Sequence, residues 1–202
     1  MLAAGLGANT MILLTAVACG LFAGLLRAGI RGRRPAPPNL QRGWLVPLAF
    51  LFQGTAFHWP PSQPLIPDWL ASALLIISMG MLAVFVAANR RQPRFWLLGL
   101  GLALNLLVIT INGGFMPISP ETVQALIPQA PPDSWQIGER LGTGKDIVLH
   151  PAEVYLEILS DRFLLPEWAP YQVAFSIGDV LIAAGAFWVL WASIDTPQYL
   201  EE

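Results

Sequence analysis

Apolar runs with almost no charged residues alternate with polar segments along most of the chain. The apolar runs cover residues 8–27, 44–59, 69–89, 95–111 and 171–191. A helix that crosses a bilayer needs roughly 20 mostly apolar residues, with a range of about 17–25. Four of the runs meet that length, whereas 44–59 is shorter and contains Pro47 and Gly54. The pattern predicts an all-α membrane protein, a bundle of five transmembrane helices.

Composition supports the membrane class independently of the pattern. Hydrophobic residues make up 55% of the 202 residues, and charged residues only 12%. A soluble domain carries about 25% charged residues, and disordered chains are poor in apolar residues. Both of those classes are therefore excluded. The single cysteine, Cys19, lies in an apolar run and allows no disulfide within the chain.

The distribution of charge predicts the direction of each span. Segments 27–42 and 90–94 carry five and three arginines without an acid, so the positive-inside rule places both in the cytoplasm. Two crossings must then separate them, which requires the short run 44–59 to span. Segment 112–170 has eight acids against three bases, which places it outside. We therefore expect a bacterial inner-membrane protein with its N-terminus outside and its C-terminus cytoplasmic. The tryptophans support the span ends independently, because seven of the eight lie near a predicted end, where their rings would sit at the membrane–water interface.

Segment 112–170, here called the lid, has its own local signals. Asn112, Gly113 and Gly114 stop the fourth span, and Pro117 prevents its continuation. Ser119 followed by Pro120 and Glu121 predicts a helix to about Leu126. A second short amphipathic helix is predicted over 151–161. The lid is thus expected to be a short helical segment that packs on the outer face of the bundle and is held by the fourth and fifth spans.

Three polar residues fall inside the predicted spans at similar depth. Asp179 lies roughly 12 Å, Asn105 roughly 10 Å and Gln53 roughly 9 Å from the lid side at 1.5 Å per residue. A carboxylate at that depth should face protein or water, because exposure to lipid is costly. This buried polar layer is either a site for a proton, ion or head group, or a hydrogen-bond cluster that holds the helices together. The sequence places no second carboxylate and no base beside it.

The other motifs give weaker evidence about function. His58 lies at the end of the second run, where an imidazole can ligate a metal or a tetrapyrrole. The other histidine, His150, is in the lid, so interfacial hydrogen bonding is the simpler role for His58, and neither a cofactor nor a metal is expected. Gly20-x-x-x-Gly24 predicts close packing against another helix, in this chain or another. The lid sequence Gly142-Thr143-Gly144-Lys145 fails the phosphate-loop pattern, because Glu139 and Asp146 stand where glycine and Ser/Thr are needed.

Three short sequences together resemble an uncharacterised family of small bacterial multi-pass membrane proteins, a domain of unknown function. They are listed here in chain order: Asn112-Gly113-Gly114-Phe115-Met116-Pro117, Leu164-Leu165-Pro166 and Ser176-Ile177-Gly178-Asp179-Val180-Leu181. The resemblance implies no activity. It does imply that the turn at 112–117 and Asp179 belong to one shared feature.

No set of catalytic residues at working spacing is present, so we expect a non-catalytic protein rather than an enzyme. The leading expectation is an accessory or structural subunit of a larger membrane complex, with the lipid bilayer and other membrane subunits as partners and no nucleic acid. One alternative is a small transporter or permease component that uses the polar layer around Asp179. Another is a pigment- or cofactor-binding subunit of an energy-converting complex that uses His58.

Overall fold

The computed structural model describes residues 8–31, 40–58, 66–131, 134–169 and 172–193. The helices there are α1 Ala8–Ile30, α2 Leu45–Gln53 with a π-helical turn Gly54–His58, α3 Asp68–Ala88, α4 Arg94–Ile111, α5 Pro120–Leu126 and α6 Ile177–Ser193. The strands are β1 Met116–Ile118, β2 Asp146–Val148, β3 Phe163–Leu164 and β4 Ala174–Phe175. Short 3-10 turns cover Pro151–Glu153 and Glu157–Leu159.

Within the described ranges, three helices are long and apolar enough to cross a membrane, which supports a membrane protein. They are Ile12–Ile30, Asp68–Ala88 and Arg94–Ile111, and the apolar helices Leu45–Phe57 and Ile177–Ala192 are shorter. Trp44, Trp69 and Trp96 stand at the starts of α2, α3 and α4 with 63%, 71% and 71% of their surface exposed. Rings so exposed at helix ends suit the membrane–water interface.

Glycines let α6 pack closely between α1 and α4. A Cβ on Gly101 of α4 would lie 2.6 Å from the Gly178 carbonyl oxygen, and one on Gly185 would lie 2.5 Å from the Leu98 amide nitrogen. On the other side, a Cβ on Gly20 of α1 would lie 3.0 Å from Phe187. The Gly20-x-x-x-Gly24 face therefore meets a helix of the same chain. Backbone contact this close is typical of helix pairs in lipid, where van der Waals packing drives association.

Two predictions about the lid and the last span are wrong. The fold is not all-α, because β1 pairs in parallel with β2 and β3 pairs antiparallel with β4. The expected helix over 151–161 is instead the two 3-10 turns, separated by Leu156 at φ 59°, a left-handed conformation that breaks a helix. In contrast, α5 has its predicted cap, since Ser119 Oγ accepts the Thr122 N–H at 3.1 Å.

The start of the last helix is the correction with the largest consequence. The apolar run begins at 171, but α6 begins only at Ile177, because Ala174 and Phe175 are taken up by β4. Asp179 consequently lies in the first turn of α6 rather than two turns inside a span. Apolar composition alone does not distinguish a strand from the start of a buried helix.

Candidate functional site

A hydrogen-bonded network at the start of α6 joins that helix to α4. Ser176 Oγ accepts the Asp179 N–H at 3.1 Å, and Asp179 Oδ2 accepts the Ser176 N–H at 3.1 Å. This reciprocal pair is a capping box, in which each side chain satisfies a backbone donor that the helix end leaves unpaired. Asn105 of α4 completes the network, donating to Asp179 Oδ1 at 2.8 Å and accepting from Ser176 Oγ at 3.0 Å.

Gly178 is the position that lets Asn105 reach this cap. A Cβ on Gly178 would overlap Asn105 Oδ1 and lie 2.6 Å from its Cγ. Any other residue at 178 would push α4 and α6 apart and break both contacts of Asn105. Ser176 and Asn105 are buried, so the network lies inside the protein.

A cavity of about 450 Å³ runs beside this network, between α1, α2, α3, α4 and α6. Pockets of this volume accommodate small molecules. Its walls on α6 extend from Asp179 to Leu190, which is roughly 16 Å along a helix. Most of the lining is apolar, and it includes Phe50, Met79, Phe85, Leu98, Leu102 and Val189.

The polar lining of this central cavity gathers at its lid end. Gln53, Asn105 and Asp179, the three members of the predicted polar layer, all line it. Asn105 and Asp179 contact each other directly, whereas Gln53 donates to Ser78 Oγ of α3 at 2.9 Å. Three residues of the lid, Gly144, Lys145 and Asp146, line the same cavity. The cavity is thus amphipathic, with charged groups at one end and hydrocarbon along the rest.

Lys145 is held by two carboxylates. Its Nζ lies 2.7 Å from Asp161 Oδ2 and 3.2 Å from Asp146 Oδ1, and the Asp161 side chain is fully buried. Burial disfavours the ammonium, but the carboxylates of Asp146, Asp161 and Asp179 outweigh it and raise the pKa of Lys145. Burial raises the pKa of Asp161 well above its ordinary value, against the opposing charge of Lys145. The buried ammonium of Lys145 therefore depends on the carboxylates that contact it.

Arg140 fastens the lid to the bundle. Its Nη1 lies 2.7 Å from Asp68 Oδ1 at the start of α3, and its guanidinium carbon lies 5.7 Å from the centre of the Phe57 ring. The same side chain donates to the carbonyl oxygens of Thr143 and Gly144 at 2.8 and 3.1 Å. Arg140 therefore fixes the turn that carries Lys145 against the ends of α2 and α3.

The predicted outer turn makes the second attachment. Asn112 donates to the Tyr155 carbonyl at 3.0 Å and accepts the Tyr155 N–H at 2.9 Å. Gly113 and Gly114 have φ of 85° and 93°, which only glycine adopts without strain. The chain then enters β1, where the Met116 N–H donates to the Lys145 carbonyl at 2.9 Å and Pro117 is opposite Ile147. The turn is thus hydrogen-bonded to Lys145, which lines the central cavity together with Asp179.

The remaining candidate residues are the two histidines. The side chain of His58 lies outside the described part of the structure, and His150 is exposed. Among the described residues, no group of three or more His, Cys, Asp and Glu side chains is placed to hold a metal ion.

Lys145 and Asp146 are the site residues that the sequence did not reveal. They lie far along the chain from Asn105 and Asp179, and no local pattern relates the two pairs. One signal was present, because Lys145 is the only lysine among the chain's eleven basic residues. A single lysine in a chain that otherwise uses arginine indicates a position that favours a compact point charge.

Comparison with known proteins identifies a family for this chain. A family model described as a family of unknown function, DUF5317, matches residues 38–191. The chain belongs to that family. The resemblance to an uncharacterised family is therefore confirmed. The matched region contains α2 to α5, the lid and α6 as far as residue 191, but not α1. No curated protein and no solved structure matches the chain.

Proposed function

We propose that this protein binds one amphipathic small molecule in its central cavity and has no catalytic role. The supporting observation is the division of the cavity, which has charged and amide groups at the lid end and apolar walls over the rest of its length. Ligand sites commonly combine such apolar walls with a few convergent polar groups. The hydrocarbon of the ligand would lie between the helices, and its head group beneath the lid.

The proposed topology gives the cavity access to lipid-soluble molecules. We propose five spans in a bacterial inner membrane, with the short apolar helices α2 and α6 crossing beside the three longer ones, the N-terminus outside and the lid outside. The capping box and the lid then close the outer end of the cavity. A molecule would enter by separation of helices or by release of the lid from Arg140 and Asn112.

The wider role proposed is that of an accessory subunit that holds the ligand within a larger membrane complex. The small-residue face of α1 is already occupied by α6, so a partner subunit would use a different surface. A transporter component is the second candidate, and the same cavity favours it, because its polar groups lie beneath a lid that two side chains attach. Flux would distinguish transport from binding alone.

The test is a cavity-filling variant with a matched control on the same helix. Ala186 lines the cavity, whereas Ala184 is exposed on α6. Protein purified in mild detergent should retain one amphiphile per chain in native mass spectrometry. Ala186→Leu should lose that adduct, and Ala184→Leu should keep it. An adduct retained by Ala186→Leu, or none in the unmodified protein after exposure to amphiphiles, would overturn the proposal; co-purifying protein masses in the same spectra would identify a larger complex.

A further inference from the structure

The charges around the lid end of the cavity do not balance. Among the described residues, two cations lie there, Arg140 and Lys145, and each is in contact with a carboxylate. Four carboxylates of the described chain lie in the same region: Asp68, Asp146, Asp161 and Asp179. Pairing Arg140 with Asp68 and Lys145 with Asp161 leaves Asp146 and Asp179, which both line the cavity. When Asp161 holds a proton, Lys145 pairs with Asp146, and Asp179 still has no cation of its own.

The two remaining carboxylates differ in how far they are satisfied. Both oxygens of Asp179 accept a hydrogen bond, from Asn105 and from the Ser176 N–H. Within the described residues, Oδ1 of Asp146 is buried and receives no hydrogen bond, although Lys145 Nζ is 3.2 Å away. A buried carboxylate oxygen without a donor is costly. A ligand that brings both a positive charge and an N–H group would compensate for this cost.

The alternative head groups fit this end less well. An anionic head group would face an excess of carboxylate, with Arg140 and Lys145 already paired. A neutral hydroxyl would supply a donor but would leave the charge uncompensated. A protonated amine supplies both, and it is compatible with either ion pairing of Lys145, because Asp179 is without a cation of its own in each case.

We propose that the ligand of the central cavity is an amphipathic amine, bound with its ammonium group between Asp146 and Asp179 and its hydrocarbon along the apolar walls. This inference rests on the proposed function, because it assigns the chemical class of the molecule that the cavity holds. Carboxylates select for positive charge here through charge complementarity, while the cavity volume of about 450 Å³ limits the ligand to a small molecule.

Three probes with the same hydrocarbon and different head groups test the assignment: decylamine, decanol and decanoate. Each is titrated at pH 7 into the full-length protein in a non-ionic detergent, and binding is followed by native mass spectrometry. Decylamine should bind about tenfold or more tightly than decanol, the ratio that one charge-assisted hydrogen bond supplies. Decanoate should bind most weakly.

Variants assign the preference to particular groups. Asp146→Asn should reduce the preference for decylamine over decanol to near one; it also removes one of the two carboxylates beside Lys145, so its fold is checked by thermal unfolding. Asp179→Asn should reduce it too, but it also perturbs the helix cap, so its thermal stability is measured in parallel. Glu153→Gln, an exposed lid carboxylate, is the matched control and should leave the preference unchanged.

The outcomes separate the two proposals. Equal binding of all three probes, or a preference for decanoate, would overturn the amine assignment and leave the proposed amphiphile site standing. A decylamine preference that survives Asp146→Asn and Asp179→Asn would show that these carboxylates do not hold the ammonium. Failure of every probe to bind would overturn the proposed function itself.

Discussion

Replacing Gly178 with alanine is the sharpest perturbation of the site, because a single methyl group acts on the contact between α4 and α6. The new Cβ would overlap Asn105 Oδ1 and lie 3.0 Å from the Gly101 carbonyl oxygen. Neither atom can move far, since one belongs to a buried side chain and the other to helix backbone. The two helices must therefore separate or Asn105 must leave the cap.

The magnitude follows from these two consequences. Overpacking a well-packed interface costs about 1–3 kcal/mol. Losing the hydrogen bonds of Asn105 to Asp179 and Ser176 costs about 0.6 kcal/mol each, and at most about 1.7. Gly178→Ala should therefore lower the free energy of unfolding by roughly 2–6 kcal/mol.

Unfolding of the purified protein by a denaturing detergent, followed by circular dichroism, measures this difference. Gly80→Ala is the matched control, because a Cβ on Gly80 of α3 meets nothing within 4 Å. That control should stabilise the protein by up to about 1 kcal/mol, the difference in helix propensity between alanine and glycine.

A rescue variant identifies the cause of the loss. Asn105→Ala removes the atom that the new methyl group overlaps, so the double variant Gly178→Ala/Asn105→Ala should lose less than the sum of the single variants. If Gly178→Ala unfolds like Gly80→Ala, or if the two losses simply add, the packing of α4 on the cap of α6 is not as described.

Two predictions concern the lid. Arg140→Lys should weaken the attachment of the lid by about 2 kcal/mol and so accelerate amide hydrogen exchange over 141–148. Lysine cannot reproduce the contacts of the guanidinium group with Asp68 and with the carbonyls of residues 143 and 144. Arg162→Lys, at the half-exposed pair with Glu157, is the control and should change the exchange little. Because burial raises the folded-state pKa of Asp161, folding takes up a proton there, and stability contributed by this group falls as pH rises from the ordinary carboxyl range through the raised pKa. Asp161→Asn should therefore flatten the decline of thermal stability as the pH rises above the ordinary carboxyl range, and an unchanged pH profile would contradict the assignment.

The helices could be predicted from the sequence because their cause is local. Apolar runs of spanning length need only a count of residues, and α3 and α4 begin and end within one residue of the runs that predict them. The cap of α5 and the turn at Gly113 and Gly114 are also local, since each depends on residues within one turn of chain. The membrane class follows from the same runs together with the low content of charge.

The arrangement of the polar site could be determined only from the tertiary structure. The sequence singled out Asp179, Asn105 and Gln53, but it estimated the depth of Asp179 from an apolar run whose first residues belong to β4. That pairing is a contact with Phe163 and Leu164, which periodicity in one segment cannot show. Asp179 is at a helix cap because a strand ends beside it.

What the sequence by itself determined is which segments avoid water, and through the charges between them, the expected direction of each span. Only the tertiary structure decided that Lys145 and Asp146 lie at the end of the central cavity beside Asp179. The physical reason is that burial in lipid acts on each segment separately and is recorded in composition. An ion pair such as Lys145 with Asp161, or a close approach such as Gly178 with Asn105, depends on two segments that meet only after the chain has folded.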